Sequence, residues 1–491
     1  MTPSLPRVFS IAAGEAFLDI LAENILLRFP TFEKARPLAD WTILVPTRRA
    51  AVELAKSFKR QAKTQALVLP RISPIGDVDE FFSGATPDVY EKPTPVSPQA
   101  QLLQVLGLVE KWALENPHIG LAGEITRSAV QRLGLAKSLQ ELIITVETNE
   151  RTFEKLSQAY DIELSIHREA ILSLLQLLHD QLPSINHAQG QISAIEYRNR
   201  MIRLNAAAIA AGELQGPIIA AGSTGTIPST RALLKAIAHH PQGAVILPGL
   251  NTAADDMYWA LLPQEHPQYS MKLFLDEIGL SHKSVAHLGV EAATQPGPRD
   301  FLLSEVMRPS PTTQMWHSVL APQRQRIEMQ SQGIIEISAP DRQLEARSIA
   351  VIMRKALNQE HETAALITPD RDLATRVKAE LRRWNIEITD TASLTLNTQG
   401  PGHILDLLLE CAIDQFSVAS VMALISQHDV TLGFPPDGFA RVRQQFEYSC
   451  LRGNPFVQSS PSFQHMAQGA NQRSQTAYRS HPLVKAHNAD D

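Results

Sequence analysis

The chain has 491 residues, 44% of them apolar and 20% charged, enough to bury a large core and to divide into roughly three domains of about 100–200 residues each. Its formal net charge of −6 argues against a protein that coats nucleic acid through bulk electrostatics, which needs many Lys or Arg contacts to phosphate. No window approaches the roughly 20 uninterrupted apolar residues of a membrane helix, and Glu15 and Asp19 break the early apolar stretch, so the expected compartment is the cytoplasm.

The first expected strand, 7–12, passes through Ala13-Gly14-Glu15 into an amphipathic helix carrying Phe17, Leu18, Leu21 and Ile25. A P-loop would sit here. It needs a glycine-rich turn, a Lys for the outer phosphates and a Ser/Thr for Mg²⁺, and AAGEAFLDI supplies none of these. The next strand, 41–46, enters a helix that opens on Thr47, Arg48 and Arg49. Between Thr47 and Thr64 stand Arg48, Arg49, Lys56, Lys59, Arg60 and Lys63, against the single anion Glu53. Helical spacing places Arg49, Lys56, Arg60 and Lys63 on one face and Ala51, Leu54, Ala55 and Phe58 on the buried one. Taken alone such a face reads as solvated, with Glu53 bridging Arg49 and Lys56; the position of Thr47 to Arg49 directly after a strand raises the alternative, a phosphate-facing surface.

LVLPRISPIGDVDEFF reads as another short strand ending in an acidic turn of Asp77, Asp79 and Glu80, taken as capping and turn residues rather than metal ligands. A proline-bearing link, TPDVYEKPTPVSP, closes this α/β segment near Pro98, and helical periodicity follows to about Ala211 with no convincing strand. The α/β pattern resumes in PIIAAGSTGTIPSTRALL, from Pro217 to Leu234, where an apolar strand empties into a Gly/Ser/Thr/Pro turn and then a helix. That is the layout of a ligand-facing loop at the carboxyl edge of a parallel sheet. A nucleotide-hydrolysing site would place an acidic residue at this strand's end to hold Mg²⁺; here it ends Ala-Ala-Gly-Ser, with Ser223 and Thr224 in the turn. A further strand, GAVILPGL, ends at Asn251.

After the Pro-rich stretch RPSPTT, a second α/β unit is expected from near Gly333, with strands IIEIS, TAALITP and IEITD alternating with two helices. In the second of those helices Leu373, Val377 and Leu381 form the buried stripe, leaving Arg371, Arg376, Lys378, Arg382 and Arg383 outside, diluted by Asp370, Asp372 and Glu380. Helices follow Gly400, and the tail from about Gly453 is too polar to fold alone. The two cysteines, Cys411 and Cys450, lie too far apart for a zinc or iron–sulfur site and are expected to be buried thiols. His239-His240 reads as a helix end rather than a metal site, and Trp384 as packed rather than as a base-stacking platform; Trp259 and Trp316 stay open between those roles.

The runs ILVPTRRA, LPRISPIGDVDEFF, IIAAGSTGTIPSTRALLKAIA, GAVILPGLN, HPQYSMKLFLDEIG and ALITPDRDLATRVKAELRRWNIEITD resemble the alphaproteobacterial form of the AddB family of double-strand-break repair proteins, over most of the chain from Val8 to about Gly453. The resemblance implies an α/β fold of two RecA-like, superfamily 1 helicase-like, parallel-sheet domains with a helical insertion and a partial helical C-terminal part. The implied division is 1–95 and 212–325 for the first RecA-like domain with a degenerate P-loop, 96–211 for the insertion, 326–400 for part of the second domain, 401–455 for a partial helical domain and 456–491 for a disordered or truncated tail. It implies a non-catalytic subunit of an AddAB or RecBCD-like complex in homologous recombination, partnered by single-stranded DNA at double-strand ends and by an AddA-like helicase/nuclease subunit, with no membrane. In such helicases the loop matching Pro46 to Arg49 touches single-stranded DNA, and together with the basic helix faces and the GSTGT turn the DNA-binding residues expected are Thr47, Arg48, Arg49, Lys56, Arg60, Ser223, Thr224 and Arg371. No cofactor is expected in this chain: ATP belongs to the partner subunit and Mg²⁺ to a nuclease domain. Family members are much longer and carry that nuclease domain, with an Asp/Glu-x-Lys pair that has no counterpart after Gly400, where Pro436-Asp437 stands alone. The chain is therefore expected to be a fragment, a split product or a natural truncation. The alternative is a nucleotide-fold small-molecule enzyme using GSTGT as a phosphate cradle, against which stands the lack of a nearby catalytic Lys, His or carboxylate pair.

Overall fold

A computed structural model describes residues 6–27, 37–62, 67–77, 93–117, 128–151, 165–213, 216–289, 299–359, 362–390, 396, 400–414 and 416–448. They fall into two compact units, Met1–Ile335 and Glu336–Asp491. The expected polar tail, Cys450, Asp79 and Glu80 lie outside the described residues.

In the first unit β1 (Val8–Ile11) leads into α1 (Phe17–Leu26), β2 (Thr42–Val45) into α2 (Arg48–Gln61), and β3 (Arg71–Pro74) closes the opening stretch. The chain then passes through β4 (Thr94–Pro95), α3 (Pro98–Glu115), α4 (Ala129–Thr148), α5 (Ser165–Ala188), β5 (Gln191–Ile192) and α6 (Ala194–Ala210). It returns as β6 (Ile218–Ala221), α7 (Pro228–His239), β7 (Gly243–Pro248), α8 (Asp256–Ala260), α9 (Tyr269–Glu277) and β8 (Ala286–His287). Three further helices, α10 (Asp300–Val306), α11 (Trp316–Val319) and α12 (Arg324–Ser331), complete the unit.

Six strands form one sheet in the order β3-β2-β6-β7-β1-β8, every pairing parallel, with Thr42 opposite both Arg71 and Ile218, Ile218 opposite Gly243, and Val8 opposite Val245. The strands are short apolar runs because both faces are covered. Alternate residues divide between two cores. Ile218, Ala220, Val245 and Leu247 face α6, α7 and α9 through Ile202, Ile209, Leu234, Ile237 and Phe274. Ile219, Ala221, Ala244 and Ile246 face α1 and α2 through Leu21, Ile25, Leu54 and Phe58. The period of two along each strand thus yields a three-layer α/β unit.

The excursion between β3 and β6 holds a third core, in which Val105, Val109 and Trp112 of α3 meet Ala136 and Ile143 of α4 and Leu174 and Leu178 of α5. Where this bundle begins and ends, β4 and β5 pair in parallel, Thr94 opposite Gln191 and Pro95 opposite Ile192. Helix α6 leaves the bundle and packs on α7, where the buried Ser229 hydroxyl donates to Asn199 Oδ1 at 2.9 Å. Arg299 Nε donates to Gln330 O, and Gln330 Oε1 accepts from the Leu302 amide. These bonds tie α12 to α10 within the first unit, which runs to Ile335.

The second unit contains α13 (Arg342–Leu357), α14 (Arg371–Arg382), α15 (Gly400–Ile413), α16 (Val418–Ile425) and α17 (Pro436–Phe446). Asp341 and Asp370 cap α13 and α14 through backbone amides. Ala346, Ala350, Val377 and Leu381 are fully buried between these two helices, and Leu366, Ile386 and Ile388 pack against them. The runs IIEIS, TAALITP and IEITD, expected as strands of a second parallel sheet, form no ladder among the described residues. Leu366, Ile386 and Ile388 meet the helices, but Ile334, Ile335 and Ile337 of IIEIS are all exposed and Ile367 is 94% exposed. A parallel sheet needs helices on both faces, and only one is covered here.

Candidate functional site

The carboxyl ends of β2, β3 and β6 open on a cavity of about 280 Å³, lined by Pro46 after β2, Ile75 and Gly76 after β3, and Gly222, Ser223, Thr224, Thr226 and Ile227 after β6, with Thr230 of α7 and Arg198 and Ile202 of α6. In a parallel sheet this edge is where loops converge, because every strand points the same way. Gly222, at φ +81°, turns the chain out of β6, and Gly225, at φ +72°, lies so close to Arg231 that an added Cβ would stand 2.9 Å from Arg231 Cγ. Arg231 pins the loop from behind: Nη1 donates to the carbonyls of Gly225 and Thr226 at 3.0 and 3.1 Å, and Nε to Glu277 Oε1. Ser223 Oγ accepts from the Gly225 amide, and the Thr224 and Thr226 hydroxyls are 3.0 Å apart. Helix α7 then begins with Pro228 in its first turn and no side-chain cap at Ile227, leaving amides of that turn without the side-chain partner most helices have.

Beside this cavity stands the start of α2. Thr47 Oγ1 accepts from the Ala50 amide at 3.1 Å and caps the helix. Arg48 donates to both carboxylate oxygens of Asp77, Nε at 2.7 Å and Nη2 at 3.2 Å, and Asp77 follows the cavity residue Gly76. The Arg48 side chain is 83% exposed, so this pair is a weak one, worth about 0.2–1 kcal/mol.

The sequence-derived residues separate in space. Thr47, Arg48, Arg49, Ser223 and Thr224 share the carboxyl edge of the sheet. Lys56 and Arg60 lie about 12 and 18 Å farther along the α2 axis, at 1.5 Å per residue. Lys56 pairs with Glu53 at 2.7 Å, whose carboxyl is lowered first by that hydrogen bond. Arg60 donates to Asp19 of α1 and to the buried Ser57. The expected basic face of α2 thus spends part of its charge within the fold. Arg371 belongs to the second unit, where it pairs with Asp390 at 3.2 Å; Arg376 donates to Gln343, and Arg383 to Glu380. Trp384 packs on the second unit's core, with Arg354 4.7 Å above its ring. Two arginines escaped the sequence reading: Arg198, which lines the cavity, and Arg231, which holds its loop from behind. The signal for Arg198 was present: it continues the buried α6 stripe of Ile202, Ala206 and Ile209 one turn earlier, a cation where an apolar residue is expected.

A second cavity, of about 420 Å³, lies at the carboxyl ends of β1 and β7 beside Ala12, Ala13, Gly249 and Asn251, the place where a P-loop would stand. Its polar groups bond one another. Asn251 Nδ2 donates to Ser304, Gln268 Nε2 to Gly249 O, and His266 Nδ1 accepts from the Gln268 amide. The proton of His266 is therefore on Nε2, which faces Met307 O at 3.0 Å and the Tyr258 hydroxyl at 3.1 Å. Burial pushes the His266 ring below the usual histidine range and the Tyr258 phenol above its own. Behind this wall Arg308, 3% exposed, donates to both Glu305 oxygens at 2.7 and 2.8 Å and to Asp255 at 2.9 Å. Burial would raise the Asp255 carboxyl, but the Tyr258 amide and Arg308 outweigh it and hold it low. His239 Nδ1 lies 2.9 Å from Lys235 O, Trp259 stacks on His282 at 4.2 Å, and Cys411 is a buried free thiol. Among the described residues no group of three or more His, Cys, Asp or Glu is placed to hold a metal, and no helix is long and apolar enough to cross a membrane.

No family model matches the chain, and no curated protein matches it. The likeness to the AddB family rests on the six sequence runs.

Proposed function

We propose that this chain is a non-catalytic, helicase-like subunit of the AddB type, which holds one strand of DNA at a break while an AddA-like partner supplies ATP hydrolysis and unwinding. The observation that carries the reading is the convergence of Pro46–Arg49 and Gly222–Thr230 on the adjacent strands β2 and β6, with arginine and hydroxyl groups at the sheet's carboxyl edge. The six-stranded parallel order, interrupted by a helical insertion between β3 and β6, supports a RecA-like first domain; the α13–α14 unit is read as part of a second. At the ends of β1 and β6 the residues are Ala12-Ala13-Gly14 and Gly222-Ser223, with neither the lysine nor the carboxylate a motor would use there. On this reading Arg48 exchanges Asp77 for a backbone phosphate, and Thr47 sets the helix start that aims it.

The test is the affinity of the full chain for a fluorescein-labelled single-stranded oligonucleotide across a salt series. Each phosphate contact contributes about 0.7 to the slope of log affinity against log salt, so R48E/R49E is expected to reduce that slope by about 1.4 or more and to weaken binding to all sequences alike. D77N, which frees Arg48, is expected to strengthen binding. Unchanged affinity in R48E/R49E overturns the reading, and robust binding of a labelled nucleotide with no DNA binding favours the small-molecule enzyme instead.

A further inference from the structure

Arg198 projects from α6, the last helix of the insertion, into the cavity at the ends of β2, β3 and β6. Its Nε is buried and has no hydrogen-bond partner, and among the described residues Arg198 forms no ion pair. Two other arginines near this edge are engaged within the fold: Arg48 pairs with Asp77, and Arg231 holds the loop carbonyls and Glu277. A guanidinium is effectively always charged, and a buried donor left without an acceptor, as Nε is here, costs free energy. Its place is fixed, since the neighbouring Asn199 is held by the buried Ser229 hydroxyl and donates to Glu147 O at 2.9 Å. Opposite Arg198 lie the Ser223, Thr224 and Thr230 hydroxyls and the uncapped first turn of α7. All of these can donate to an anion, and the turn's positive dipole end adds to the same sign. At about 280 Å³ the cavity falls just below the roughly 300–1,000 Å³ of drug-sized sites, a size suited to a phosphate with little attached.

We propose that this cavity is a phosphate subsite, in which Arg198 and the first turn of α7 take one phosphodiester group of the strand held at the sheet edge. The inference rests on the DNA-holding reading for the source of the phosphate, but not for the site's chemistry. It also assigns the insertion a role: the helical excursion delivers a cation into a cavity whose lining from the sheet's own loops carries none. The 420 Å³ cavity carries no comparable feature, because the groups described at its wall bond one another.

Two measurements on the full chain test it, with R198Q and R198K. In the salt series on labelled single-stranded oligothymidylate, R198Q is expected to weaken binding about tenfold and to lower the salt slope by about 0.7, while R198K keeps most of the slope. In thermal unfolding with and without inorganic phosphate, the wild type is expected to gain stability from phosphate and R198Q to gain none. Without phosphate R198Q should unfold no more easily than the wild type, since it removes the unsatisfied Nε donor; a structural arginine would show a loss. Wild-type and R198Q chains with equal salt slopes and equal responses to phosphate overturn the subsite. If no oligonucleotide binds but the phosphate response is present and vanishes in R198Q, the subsite stands as one for free phosphate and the DNA-holding reading falls.

Discussion

Replacing Arg308 with Met tests the buried charge cluster behind the larger cavity. Arg308 is 3% exposed and Glu305 9%, so R308M leaves a carboxylate in the protein interior with two hydrogen bonds gone. Breaking a buried pair in this way costs about 3–5 kcal/mol. Asp255, at 44% exposed, can turn to water, and its loss adds only the 0.2–1 kcal/mol of a surface pair. Arg308 already carries a buried Nη1 without a partner, whose penalty the substitution removes, so the lower end, about 3 kcal/mol, is expected. The assay is urea unfolding read by hydrogen exchange at the amides of 256–261, which reports the first unit by itself. Alongside run E305M and the double variant E305M/R308M, in which both charges are gone. The double variant is expected to recover most of the loss, within about 1–2 kcal/mol of the wild type, because the stranded carboxylate is the main cost. A loss below about 1 kcal/mol in R308M, or a double variant as unstable as the sum of the singles, refutes the reasoning.

Ser229→Ala leaves the buried Asn199 Oδ1 without its 2.9 Å donor and should cost about 1–3 kcal/mol, measured by urea midpoint; a neutral change would mean that α6 and α7 are held by apolar contact alone. His266 is neutral in the fold and its Nδ1 is engaged as an acceptor. Burial depresses its folded pKa below the ordinary histidine value of about 6.5, so its stability contribution is complete above that value and declines as the pH falls below it, by at most about 1.4 kcal/mol per pH unit. His266→Gln should show a smaller loss of urea midpoint between pH 7 and pH 5 than the wild type, and equal losses would place the acid sensitivity elsewhere.

The first unit was legible in the sequence because its strands are buried on both faces: Ile218-Ile219-Ala220-Ala221 and Ala244 to Leu247 read as strands from apolarity alone, and the glycines and hydroxyl residues that follow β6 marked the ligand-facing edge. The insertion announced itself by helical period. What remained hidden depends on pairing across the chain. Thr94-Pro95 and Gln191-Ile192 are too short and too polar to stand out, and they become strands only by meeting each other. In the second unit comparable apolar runs form no ladder among the described residues, where Ile337 and Ile367 are exposed. At the site, spacing located Arg48 and Arg49 but could not show that Arg60 would be drawn to Asp19, because α1 and α2 meet only in the folded unit. Arg198 shows in the sequence only as a cation in the apolar stripe of α6; that it lines one cavity with the loops after β2, β3 and β6 appears only in the fold.

The parallel clasp of β4 and β5 also bears on how the sheet is assembled. Strand β6 must find its place beside β2 after the chain has wandered from Pro74 to Ile218, and the entropy of closing a loop grows with the logarithm of its length. With the ends of the three-helix bundle pinned side by side at Pro95 and Ile192, a bundle that folds first, on local contacts and around its own core, shortens that search to the two flanking segments. The long interruption then ceases to be a burden on sheet formation. It becomes a preassembled hinge-post that brings α6, and with it β6, back to the strands laid down before it.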